Sequence, residues 1–112
     1  MKFAVFEYDL LWSARLANGI RALGHEAVVI PSGKLPDPAS EVAIVNLSAT
    51  KYDPEALVQE LKKEKYWVIA HAGHKEKELL ELGKSAGADL LATNGELANK
   101  LESVISKVNL NL

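Results

Sequence analysis

The chain has no cysteine, which excludes disulfides, thiolate nucleophiles and cysteine-based zinc sites. It has little excess charge: 13 Lys and Arg against 15 Asp and Glu leave a formal net charge of −2. No basic field is present to draw in nucleic acid or an anionic lipid surface, so neither is expected as a partner. No apolar run approaches the roughly 18 residues of a membrane span. In "MKFAVFEYD", Glu7 and Asp9 interrupt the first apolar stretch before a signal-peptide core can form. A P-loop and a Gly-x-Gly-x-x-Gly turn are missing too, and the serines have no identifiable base. What is there is ordinary for a globular domain: 112 residues, 48% hydrophobic and 25% charged. A single cytoplasmic domain over residues 1–112 is the expectation.

Short apolar runs alternate with helical stripes. Phe3 to Phe6 reads as a first strand. Trp12, Leu16, Ile20 and Leu23 then follow at steps of four, four and three, one face of a helix. Asp9 can cap its start and Gly24 can close its end. "AVVIP" (27–31) is a second strand stopped by Pro31. "SGKLPDPASE" holds two prolines and a glycine without any stripe, and reads as a loop.

"VAIVN" is the third strand. Asp53 caps a helix with Pro54 at its first position, and Leu57, Val58 and Leu61 face inward. "YWVIA" (66–70) is the fourth strand, followed by a helix from about Lys75 to Ala86 that Gly87 stops. "LLA" (90–92) is the fifth strand. Thr93 and Glu96 have capping-box spacing, and a final helix carries Leu97, Leu101, Val104, Ile105 and Val108.

Wholly apolar strands imply a sheet covered on both faces, hence a parallel sheet between helix layers. Right-handed crossovers make a doubly wound, flavodoxin-like order 2-1-3-4-5 the expected topology. In such a fold, ligands bind outside the carboxyl ends of the strands. Glu7, Tyr8 and Asp9 follow the first strand, Asn46 and Ser48 the third, His71 and His74 the fourth, and Thr93 and Asn94 the fifth. Glu7, Asp9, Asn46, His71 and His74 are therefore candidates to line a ligand crevice. His71 and His74 form His-x-x-His, two ligands that need a third from Glu7 or Asp9 to hold a transition metal. Each bland reading stands beside the sharp one: Asp9 as a helix cap, the asparagines as turn residues, the lysine clusters as solvated helix faces.

"KFAVFEYDLLWSARLANGIRALGHEAVVIP", "EVAIVNLSA" and "WVIAHAGHKEKELLELGKSAGADLLATNGELANKLESVI" together resemble the CheY-like receiver domain of two-component response regulators. The resemblance covers nearly the whole chain, and "SAGADLLATNGELANKLESVI" is its most specific part. It implies a five-stranded receiver fold and phosphoryl transfer to an aspartate ending the third strand. Mg²⁺ is held by that aspartate and an acidic pair, and the phosphate by a hydroxyl and a lysine. On this chain the acceptor position is Asn46, an amide that cannot form an acyl phosphate. The acidic pair is Glu7 and Tyr8, the hydroxyl position is Ala72, and the lysine position is Asn94, followed by Gly95 in place of proline.

The resemblance thus implies a degenerate pseudo-receiver, neither enzyme nor cofactor carrier, acting in signalling by contact with a protein partner or as a homodimer. By the same resemblance the contact region is 75–107. A further departure is the stretch between the second and third strands, too short and proline-rich for the family's helix, which leaves part of one sheet face less covered. The tail "VNLNL" (108–112) reads as an edge strand or a frayed end.

Overall fold

The computed structural model describes residues 1–110. Its elements are β1 (Lys2–Phe6), α1 (Leu10–Ala22), β2 (Glu26–Ile30), β3 (Val42–Asn46) and α2 (Pro54–Lys63), then β4 (Trp67–Ala72), α3 (Lys77–Ala86), β5 (Leu90–Thr93), α4 (Asn94–Asn99) and α5 (Leu101–Ser106). The five strands form one sheet in the order β2-β1-β3-β4-β5, every neighbouring pair parallel. This is the doubly wound order that the sequence implies.

Alternation along β1 divides the core. Phe3 and Val5 point to the α1, α4 and α5 side, where they pack with Leu16, Ile20, Ile44, Leu97 and Ile105. Ala4 and Phe6 point to the α2 side, with Val45, Val58, Leu61 and Tyr66. The caps also fall as read. Asp9 accepts from Trp12 N–H, Asp53 from Ala56 N–H, and Thr93 and Glu96 close a capping box. Gly24 and Gly87 take the positive φ that ends a helix cheaply.

Several boundaries differ from the sequence reading, each for a tertiary reason. β4 runs to Ala72, because His71 pairs with Asn46 and Ala92, and Ala72 with Thr93. His71 is therefore inside the sheet, not after it. Helix α3 starts at Lys77, because Glu76 turns back and accepts from Gly73 N–H at 2.8 Å. The expected last helix is two helices, broken at Lys100 (φ −134°, ψ 37°). The break seats Leu101 on α1 so closely that a Cβ at Gly19 would lie 2.7 Å from Leu101 Cδ2. Val108 lies beyond α5 yet still packs on the core, while the last two residues of the 108–112 tail lie outside the described residues.

No helix joins β2 to β3. Leu35 packs on the α2-side cluster, Ser40 N–H donates to Tyr66 OH, and Lys2 N–H donates to Glu41 Oε1. This strap does not replace a helix: Val28, which pairs with buried Ala4, remains 42% exposed. The less covered part of one sheet face that the short, proline-rich stretch implies therefore lies at β2.

Candidate functional site

At the carboxyl ends of β1, β3, β4 and β5 lies a cavity of about 370 Å³, lined by Glu7, Asp9, Trp12, Asn46, His71, Asn94, Gly95 and Ala98. β1 delivers Glu7 into it almost wholly buried. A carboxylate out of water must be hydrogen-bonded, and this one is. Oε1 accepts from Tyr8 N–H at 3.1 Å and Asp9 N–H at 3.3 Å, and Oε2 accepts from Asn46 Nδ2 at 2.9 Å. Asn46 Oδ1 in turn accepts from Ser48 N–H at 2.9 Å. The amide is thus held at both ends, its nitrogen against a buried acid.

Behind this pair stands Tyr52, whose hydroxyl donates to Phe6 O at 2.8 Å and accepts from Asn46 N–H at 3.2 Å. Burial pushes that hydroxyl far above the usual phenol range, so it stays a neutral clamp between the ends of β1 and β3. Tyr8 bonds instead with Thr50, under Lys51 Nζ 4.8 Å from its ring centre. Those bonds with Thr50 hold its exposed hydroxyl below the usual phenol range.

His71 is 1% exposed. Its Nδ1 lies 2.7 Å from Asn94 Oδ1. An amide oxygen only accepts, so Nδ1 carries the proton and Nε2 is the acceptor. Trp12 meets the imidazole edge-on at 6.4 Å. Burial drives the His71 pKa below its ordinary value, outweighing the raising effects of Asn94 and Glu7.

The folded state thus binds the proton less readily than the unfolded chain. Stability from this residue is complete above about pH 6.5, the ordinary histidine value, and is lost as pH falls below it. Urea unfolding at pH 8 and pH 5.5 is expected to show wild type losing more midpoint than His71→Gln. An equal loss in both proteins, or an imidazole titrating above the ordinary value by NMR, contradicts the neutral assignment.

Of the residues that the sequence nominates for a crevice, Glu7, Asp9, Asn46 and His71 converge, and Asn94 joins them. His74 does not. It is exposed in the turn before α3 and does not line the cavity. Among the described residues no cluster of three or more His, Asp or Glu side chains could hold a metal ion. Ala72 is wholly buried at the end of β4. Next to it Glu76 Oε1 also accepts from Ser48 Oγ at 3.0 Å, tying the loop after β3 to the loop after β4.

Trp12 is the lining residue that the helical stripe conceals. Its spacing assigns it to the core, yet it lies in the first turn of α1, where one edge of the stripe overhangs the strand ends. Gly83 to Gly87 spells Gly-x-Ser-x-Gly, but on the last turns of α3 rather than at a strand-to-helix turn, and Ser85 is exposed away from the cavity.

The chain has the receiver fold. It superposes on NtrX from Brucella abortus with a TM-score of 0.84 at 19% identity, over 94% of this chain and 25% of that one. A CheY-like response regulator receiver domain protein from Methanospirillum hungatei JF-1 gives 0.79 at 15% identity, over 95% and 91%. For a putative response regulator from Chloroflexus aurantiacus J-10-fl the values are 0.78 and 13%, over 95% and 98%. This chain therefore spans a quarter of NtrX but nearly the full length of the other two. No family model matches the chain, and no curated protein does. Within the receiver fold, β3 ends on Asn46 and Glu7 follows the last residue of β1, where the Asn46 amide donates to its carboxylate at 2.9 Å.

Proposed function

We propose that this chain is a pseudo-receiver: a signalling module of receiver fold that is not phosphorylated at the end of β3, is not an enzyme, and acts by contact with a protein. The observation that carries this reading is the Asn46–Glu7 hydrogen bond at 2.9 Å. An amide nitrogen is not a nucleophile toward phosphorus, and here it is occupied in donating a hydrogen bond to the neighbouring carboxylate. No Lys or Arg lines the cavity to meet the charge of a transferring phosphoryl group.

The proposed contact region is 75–107, engaged by a partner protein or a second copy. Leu10 and Leu11, 83% and 87% exposed at the start of α1, are a second apolar contact beside the crevice. Incubation with acetyl phosphate and Mg²⁺, read by intact mass, is expected to leave the mass unchanged. An acid-labile phosphoryl adduct ends the proposal.

A second reading, a small-molecule site in the crevice, is favoured by one observation. The cavity gathers a buried carboxylate, a buried imidazole and an indole within one concave surface.

A further inference from the structure

We infer that the crevice binds a small organic cation, an amidinium, guanidinium or primary ammonium on a compact apolar body. This rests on the crevice being a ligand site at all, and names what it selects. Three observations carry it.

The first is the sign of the lining. Glu7 and Asp9 are its charged residues, and both are acids. Among the described residues Glu7 forms no ion pair, and the salt bridge found is Lys62–Asp89, at the opposite end of the strands. Arg15 is near, with its guanidinium 6.0 Å from the Trp12 ring centre, but it donates to Ala98 O and lines the adjoining groove instead.

The second is a set of unused acceptors. Every fully buried side-chain polar atom among the described residues has a partner. His71 is bonded through Nδ1, so Nε2 is the ring nitrogen left to the cavity wall. Glu7 Oε2 takes one hydrogen bond, from Asn46, and keeps a lone pair. Asp9 uses Oδ1 for Trp12 N–H and leaves Oδ2 open. An amidinium or guanidinium brings several N–H donors and no acceptor, the complement of that set.

The third is Trp12, whose indole forms one side of the same cavity. An aromatic face attracts a cation, most strongly where water is excluded. Volume is consistent with a compact guest, since about 370 Å³ lies at the small end of ligand pockets. Anions are disfavoured for the reason cations are favoured: they would meet two carboxylates and no compensating charge.

The test is a series that varies charge at constant shape. ¹H–¹⁵N spectra of the full chain are titrated with benzamidine, benzamide and benzoate at matched ionic strength. Benzamidine is expected to move the amides of Tyr8, Asp9, Trp12, Asn46, His71 and Gly95, and to bind about tenfold tighter than benzamide, with benzoate leaving them in place.

Asp9→Asn keeps a capping oxygen for Trp12 N–H and is expected to weaken benzamidine about three- to fivefold. Trp12→Leu is expected to weaken it about tenfold. Unmoved Val58 and Leu61 methyl resonances confirm that both variants fold. Equal binding of benzamide or binding of benzoate in the crevice overturns the cation assignment, and displacement of benzamidine by MgCl₂ overturns the organic class of that cation, each leaving a crevice ligand site standing. Crevice amides unmoved by all three probes remove the ligand reading together with it. Neither result bears on the acetyl phosphate experiment.

Discussion

Asn46→Asp is expected to destabilise the protein by about 3 kcal/mol at pH 7, the scale of leaving a buried charge without its partner. The amide donates to Glu7 Oε2 at 2.9 Å. A carboxylate there removes the donor and adds a like charge at hydrogen-bond distance from a side chain that is 2% exposed. Two carboxylates so placed cannot both ionise freely, and the introduced carboxyl has its pKa raised above the unfolded value near 3.9. A raised folded pKa means that the folded state binds the extra proton more readily. The deficit against wild type is therefore largest at neutral pH and shrinks as pH falls through the raised value. Urea midpoints at pH 7 and pH 5 read this directly. A variant as stable as wild type at pH 7 shows that the Asn46–Glu7 bond is no structural constraint, and removes the main support for an inert acceptor position.

Phe6→Ala is expected to cost about 4 kcal/mol, the usual range for emptying an aromatic from a core. Val28→Ala is expected to cost under about 1 kcal/mol, because only part of its side chain leaves water on folding. Both lie on the same sheet face, in adjacent strands. Phe6 is wholly buried under α2, whereas Val28 keeps 42% of its surface in solvent because the chain from β2 to β3 builds a strap and no helix. Denaturant unfolding of the two variants tests whether the missing helix leaves β2 only lightly held. A Val28→Ala loss above about 2 kcal/mol, as for a fully buried side chain, indicates a better covered face than the geometry describes.

Much of the architecture was legible locally. Apolar runs at 3–6, 42–45 and 66–70 read as strands buried on both faces, and the stripe at Leu16 and Ile20 read as a helix, because the side-chain periods of 2 and 3.6 are intrinsic to the backbone. Asp9, Asp53 and Thr93 announce their helices, because capping is a bond between residues two or three apart. The break at Lys100 was not legible. The stripe from Leu97 to Val108 is unbroken in sequence, and only the seat of Leu101 on Gly19 interrupts it. The length of β4 was also hidden, since His71 is polar and its strand conformation comes from pairing with Asn46 and Ala92.

The candidate site divides along the same line. Chemistry by residue type could be read directly: an amide at 46, one acid at 7, an alanine at 72, an asparagine at 94. These types, placed at strand ends, are the ground on which an inert acceptor position is proposed. The tertiary structure decided which of them meet. Glu7 and Asn46 are 39 positions apart and His71 and Asn94 are 23 apart, distances over which no local period carries information. Register across the parallel sheet brought these pairs into contact, turned His74 out to solvent, and set Trp12 over the opening. A sequence names side chains and their nearest neighbours along the helix or strand. Only the packing of whole elements chooses their partners in space, because that choice is a cooperative outcome of the entire core.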